Sequence, residues 1–215
     1  MLNNSINCDL KIEEAKTIHA QYTNIKNGLA IKTGTTKSHH HPNLGVIAVS
    51  RGFLFSGYSL AEQILEALRM NHWYIAIVAM RSLYEMSVNA NYIFNHPLEK
   101  HNVQRIRRLC RDIRRLANKK RKPNHTKLDG KRLFERAEEV RMKHSHRSIY
   151  RILSEWSHLS SRVLQIANSP KDREVLKVET AHICLCSLHN ILNAMCSYYD
   201  YKIDKTLEEK VIKFY

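Results

Sequence analysis

The sequence predicts an all-α protein, a single bundle of about six or seven helices, and three observations carry that expectation. Only six Gly and four Pro interrupt 215 residues, so long helices with short connections are favoured. Runs of β-branched residues with a period of two are scarce, while apolar residues recur at spacings of three, four and seven along most of the chain. No repeat or low-complexity linker divides it. We therefore expect one domain over residues 1–215: an N-terminal helix and loop (1–42), a core bundle (43–201) and a short C-terminal segment (202–215).

In order, Asn7 or Asp9 is placed to cap a first helix with Leu10, Ile12, Ala15, Ile18, His19 and Tyr22 at near-helical spacing. That helix is expected to run to about Lys26, with Gly28 and the polar loop KTGTTKSHHHPN closing it. His39, His40 and His41 are adjacent loop positions that cannot be assumed to converge on a metal. From Asn43 a second long helix carries Val46, Ile47, Phe53, Leu54, Ser56, Leu60, Ile64 and Leu68 on or near one stripe, with Gly52 and Gly57 inside it.

The centre of the fold is expected at Leu68 to His96. Every residue from Trp73 to Met80 is apolar, and the run resumes after Arg81 and Glu85. A helix with no polar side is central in a core or spans a membrane, and Arg81 arrives too early for a span. Asn71 is the expected N-terminal cap, and His96-Pro97 ends the helix. Arg81 and Glu85, one turn apart, share a face and can pair. We expect the pair to be buried, with Tyr84, Asn89 and Tyr92 adding hydrogen bonds, so that losing one partner would cost about 3–5 kcal/mol.

Next comes VQRIRRLCRDIRRLANKKRK. Val103, Ile106, Leu109, Cys110, Ile113, Leu116 and Ala117 form its apolar stripe, while Arg105 to Lys122 holds ten basic residues and one acid, Asp112. One face docks and the other is a positive band. With 35 Lys and Arg against 20 Asp and Glu, a formal net charge of +15, RNA or another polyanion is the expected partner. The residues expected to meet phosphates are Arg105, Arg107, Arg108, Arg111, Arg114, Arg115, Lys119, Lys120, Arg121 and Lys122. Few aromatics interleave them, which favours phosphate contact over base stacking. LDGKRLFERAEEVRMKHSH then reads as a shorter helix, and HRSIYRILSEWSHLSSRVLQIAN as a longer one. Ser169 and Pro170 are placed as cap and first residue of the last long helix, which reaches about Tyr201.

On the helix from Ser148 to Asn168, His158 shares a polar face with Arg151, Ser154, Glu155, Ser161 and Arg162. An imidazole beside arginines is what metal-independent RNA cleavage needs, as general acid or base next to a charge that stabilises the transition state. The candidate catalytic residues are His158, Arg151, Arg81, Glu85 and Tyr84, with no metal and no cofactor assigned. A different chemistry uses two Glu-x-x-His pairs, Glu155/His158 and Glu179/His182, with Glu66 and Glu85, the ligand inventory of a di-metal carboxylate bundle. His182, Cys186 and His189 are a further possible zinc set, although a packed helix face explains them as well.

AMRSLYEMSVNANYIF and the later Y-R-I-L-S-E-W-S-H-L-S resemble an uncharacterised bacterial all-helical family, a domain of unknown function with an R-x-x-x-E helix and a Tyr…Ser…His helix, over roughly Leu44 to Asn193. The layout is more loosely similar to the HEPN superfamily, helical up-down bundles that often dimerise and include RNases marked by R-x4-6-H. Arg141…His146 and Arg151…His158 both meet that spacing. Met142 and Ile152 stand where the superfamily often has Asn, Asp or His. The resemblance implies a homodimer and a ribonuclease of a toxin or phage-defence system, with an antitoxin or defence partner. A non-catalytic nucleic-acid-binding or protein-interaction module shares the same layout. The five cysteines are odd in number and unevenly spaced, unlike a secreted disulfide framework. The N-terminus has no basic and apolar leader pattern, so a cytoplasmic location and no membrane partner are expected.

Overall fold

A computed structural model of the chain describes residues 7–35, 44–98, 102–118, 128–142, 146–150, 153–154, 165 and 168–214. Among these the fold is all-α. Its elements are α1 (Cys8–Thr35), α2 (Leu44–Arg69), α3 (Trp73–Phe94), α4 (Val103–Asn118), α5 (Leu133–Glu139), a π-helical turn (His146–Tyr150), α6 (Pro170–Tyr199) and α7 (Lys205–Lys213). One isolated antiparallel bridge, Leu128 to Lys131, is the β pairing among the described residues. None of their helices is long and apolar enough to cross a membrane.

Helices α1, α2, α3 and α6 pack against one another as the core, α4 leans on α2 and α3, α5 lies on α3, and α7 rests on α1 and α6. The stripes that define them are apolar at helical spacing: Ile12, Ala15, Ile18, Tyr22, Ile25 and Leu29 on α1, and Ala181, Cys184, Leu185, Leu188, Ile191, Leu192 and Met195 on α6, all buried. Each large apolar side chain so enclosed stabilises the fold by about 1.5–3 kcal/mol relative to exposure. The α6 start is as the sequence predicts, with Pro170 at the first turn and the Ser169 hydroxyl accepting from the Asp172 N–H at 3.3 Å.

Four expectations are corrected. Helix α1 does not stop near Lys26 but runs through Gly28 to Thr35, and the Tyr201 ring lies where a Cβ at Gly28 would be. The glycine serves a close approach, not a helix end. Asn71 does not cap α3. With φ of 61° it follows the end of α2, where His72 N–H donates to the Ala67 carbonyl at 2.7 Å and Asn71 N–H to that of Leu68 at 3.0 Å, a complete Schellman motif. The residue before α3 is His72. Residues 205–213 form a helix where only a segment was expected, capped by Asp204, whose carboxylate accepts from Thr206 N–H at 2.9 Å.

The fourth correction concerns α3. Ala90 to Phe94 are enclosed on every side, but toward the N-terminus Ile75 is 60% and Val78 41% exposed. The helix therefore has a solvent side where the Arg81 and Glu85 side chains emerge, 32% and 39% exposed. The pair is formed, yet it is not buried.

Candidate functional site

Arg81 and Glu85 face each other one turn apart on α3, with Nε donating to Oε1 at 3.2 Å. The further partner seen among the described residues is Tyr150, not Tyr84, Asn89 or Tyr92. Arg81 donates from its terminal nitrogen to the Tyr150 hydroxyl oxygen at 2.9 Å, and that hydroxyl donates to Glu85 Oε1 at 3.3 Å. Tyr150 thus closes a triangle in which it accepts from a cation and donates to an anion, using both functions of a phenol. Its ring also lies under the guanidinium, 5.2 Å away. Burial works against the charge on Arg81, but Tyr150 and Glu85 outweigh it and hold the guanidinium above its usual range.

Tyr150 is aimed at this spot by the π-helical turn, a wider coil that recurs at functional sites and brings His146 and Tyr150 nearly into register. Their rings stack at 4.7 Å with 14° between planes. His146 is also packed against Tyr84 and Phe134, at 5.8 and 5.7 Å between centroids. Only 5% of His146 is exposed, and burial lowers its pKa, partly offset by the Glu85 charge. At neutral pH it is an uncharged imidazole, able to accept a proton. Among the described residues its Nδ1 and the Tyr84 hydroxyl are both buried without a hydrogen-bond partner. Such orphaned groups typically cost about 1–3 kcal/mol each, and in a functional site they are groups held ready for a ligand or a proton.

The basic face of α4 divides by its helical geometry. Arg105 is turned inward, 6% exposed, donating to the Tyr92 carbonyl at 2.9 Å with its guanidinium 4.6 Å from the Tyr92 ring. It fastens α4 to α3 and is not on the solvent face. Arg108 donates to both carboxylate oxygens of Asp129, at 3.0 and 3.2 Å. Arg111 and Arg114 are exposed and Arg107 half-buried. The side chain of Arg115, and Lys119, Lys120, Arg121 and Lys122 altogether, lie outside the described residues, as do the predicted catalytic residues Arg151 and His158.

A polar line runs from α4 onto α3, the helix that carries Arg81 and Glu85. Tyr92 and Glu85 are seven residues apart, two turns along one stripe of α3. The Tyr92 hydroxyl donates to Asp129, the partner of Arg108, at 3.4 Å. Arg136 of α5, which packs on α3, is almost fully buried, with NH1 donating to the Lys131 carbonyl at 2.8 Å. Burial pulls its pKa down, while Tyr92 and Glu85 act in the opposite direction.

The metal sets do not assemble among the described residues, where no three His, Cys, Asp or Glu side chains converge. Glu66 is held by Arg69 and Lys16, which draw its carboxyl down to about 2. Glu85 belongs to the Tyr150 triangle. His182 stacks on Phe214, and His189 Nδ1 meets the Tyr22 hydroxyl at 2.9 Å. Glu155, His158 and His39 to His41 lie outside the described residues. The five cysteines are free, and burial pushes the thiols of Cys8, Cys110 and Cys196 up to about 12. They are packing groups rather than nucleophiles.

Residues 96–174 are similar to a family of unknown function, DUF5677. No curated protein and no solved structure matches the chain. The similar stretch takes in α4, α5, His146, Tyr150, Arg151 and His158, but leaves out Arg81, Tyr84 and Glu85. It is narrower than the Leu44 to Asn193 likeness expected from the sequence.

His146 and Tyr150 are the members of the cluster that are not among the expected catalytic residues. Two signals were present: the Arg141…His146 spacing, and Tyr150 as the Tyr of the Tyr…Ser…His pattern.

Proposed function

We propose that this protein binds RNA through phosphates on the solvent face of α4 and cleaves it without a metal, as a HEPN-like endoribonuclease. The observation that carries the proposal is the Arg81–Glu85–Tyr150 triangle with His146 stacked on its phenol. It gathers a cation, a carboxylate, a phenol and a neutral imidazole beside α3, the helix against which the basic helix α4 also packs. Arg107, Arg111 and Arg114 hold the backbone by counterion release. At the cluster, a neutral imidazole is the general base that draws the proton from a ribose 2′-hydroxyl, and Arg81 faces the charge that builds on the phosphate. His146 joins His158 as a candidate for the base, with Arg151 a second candidate cation. The proposed setting is a cytoplasmic homodimer in a toxin or phage-defence system, restrained by an antitoxin or defence partner. The rival reading, a non-catalytic RNA-binding module, shares the α4 face and needs none of the cluster.

Purified protein is incubated with total RNA in the presence of a chelator, beside His146→Ala, His158→Ala and Arg81→Gln variants shown to be folded. We expect cleavage in chelator, ends bearing 2′,3′-cyclic phosphate, no action on DNA, and loss of cleavage in at least one histidine variant with RNA binding retained. Equal cleavage by all four proteins, or none by any with binding intact, assigns the protein to the binding module instead.

A further inference from the structure

Arg108 stands on the exposed face of α4, three residues before Arg111, so the two guanidinium groups are neighbours on the helix surface. Its NH2 donates to both carboxylate oxygens of Asp129, at 3.0 and 3.2 Å. A carboxylate offers a guanidinium the same kind of anionic oxygen pair that a phosphate offers. Asp129 thus takes, from within the chain, the place of a phosphate on Arg108.

The turn that carries this carboxylate is well anchored. Leu128 and Lys131 exchange both backbone hydrogen bonds, each at 3.1 Å. Between them Asp129 and Gly130 have φ of 58° and 74°, the two left-handed residues of a type I′ turn, for which Asp-Gly and Asn-Gly are favoured. The far side of the turn is tied down at Lys131, whose ammonium meets Glu139 at 2.7 Å and whose carbonyl accepts from Arg136 at 2.8 Å. On the near side the hydroxyl of Tyr92, a fully buried residue, donates to Asp129 at 3.4 Å. Arg108 ends in solvent by contrast: its side chain is 54% exposed, against 26% for Asp129. The pair therefore joins a fixed carboxylate to the tip of a long, solvated side chain, a contact weak enough to exchange.

We propose that Asp129 is an internal stand-in for phosphate: it holds Arg108 until RNA arrives and then yields it, so that Arg108 is a further backbone contact and Asp129 the residue that limits affinity. The inference rests on the reading of α4 as an RNA-binding face and is independent of cleavage. RNA already held at Arg107, Arg111 and Arg114 presents its next phosphate beside Arg108 at high effective concentration. That phosphate displaces the carboxylate, and the broken pair is subtracted from the affinity.

Binding of a labelled 2′-O-methyl oligouridylate, which has no free 2′-hydroxyl for cleavage, is followed by fluorescence anisotropy over a salt series. The full parent chain is compared with Asp129→Asn, Arg108→Gln, the double variant and Glu209→Gln. Asn suits the first left-handed position of the turn as well as Asp does, and Glu209→Gln makes the same change of net charge on exposed α7; thermal unfolding checks each fold. We expect Asp129→Asn to bind roughly threefold more tightly, the scale of an exposed ion pair, with a salt slope steeper by about 0.7. The gain is expected to disappear in the Arg108→Gln background, and Glu209→Gln to bind like the parent. The proposal is overturned if Asp129→Asn binds no better than the parent, if its gain survives Arg108→Gln, or if Glu209→Gln gains as much. Any of those results with RNA still bound leaves the α4 reading standing, whereas no binding by any of these proteins overturns that reading and the inference with it.

Discussion

Replacing Arg81 by Met tests whether the Arg81–Glu85–Tyr150 triangle is a half-exposed polar cluster or an enclosed ion pair. Removing one partner of an enclosed pair strands a charge and costs about 3–5 kcal/mol. Here about a third of each charged side chain meets water, so solvent replaces much of what is lost. The i,i+4 pair itself then contributes about 0.3–0.5 kcal/mol, and the 2.9 Å bond to Tyr150 adds about 1 kcal/mol. Arg81→Met is expected to destabilise by about 1–1.5 kcal/mol in urea unfolding, or about 2–6 °C in Tm for a chain of this size. Tyr150→Phe keeps the ring stacked on His146 and removes only the hydroxyl, so its cost is similar. The double variant is expected to show a coupling of about 1 kcal/mol, because both substitutions delete the same bond. A loss above about 3 kcal/mol for Arg81→Met alone would mean that the pair is enclosed after all. Zero coupling would mean that the bond to Tyr150 does not form in solution.

The arginines of α4 are expected to separate by readout. Arg105→Met should lower stability by about 1.5–3 kcal/mol, the worth of a hydrogen bond from a charged donor, and leave the salt dependence of RNA binding unchanged, whereas Arg111→Gln with Arg114→Gln should flatten that dependence and leave Tm unchanged; the opposite pattern would invert the assignment of the two faces. Acid should weaken the fold first through histidines: burial lowers the pKa of His19, His146, His182 and His189, so below about pH 6.5 the unfolded chain takes up protons that the folded chain resists. Tm is expected to fall between pH 7 and 5.5, and to fall less in His182→Phe, which keeps a ring against Phe214; a flat profile over that window would refute the placement of these imidazoles.

What the sequence discloses about this fold is what neighbouring residues decide among themselves. The stripes of α2, α3, α4 and α6, the Ser169-Pro170 start and the Arg81–Glu85 pair are all relations within a few turns of one helix. Gly28 could not be read, because a glycine in a helix becomes a necessity only when Tyr201 is brought across it. Asn71 could not be assigned to one helix or the other, since short polar side chains favour both helix starts and the left-handed position after a helix end. The same limit shaped the candidate site. Tyr150 reaches Arg81 across 69 residues of sequence, a relation that no spacing encodes, whereas sequence neighbours point to the imidazole with the most arginines beside it. Charge alone was also too coarse for α4. Arg105, four residues before the fully buried Leu109, lies on one flank of the apolar stripe, and Arg107, Arg111 and Arg114, spaced by four and three, lie together on the other. The flank that α3 covers, where the Tyr92 carbonyl accepts from Arg105, and not basicity decides which of these guanidinium groups can meet a phosphate.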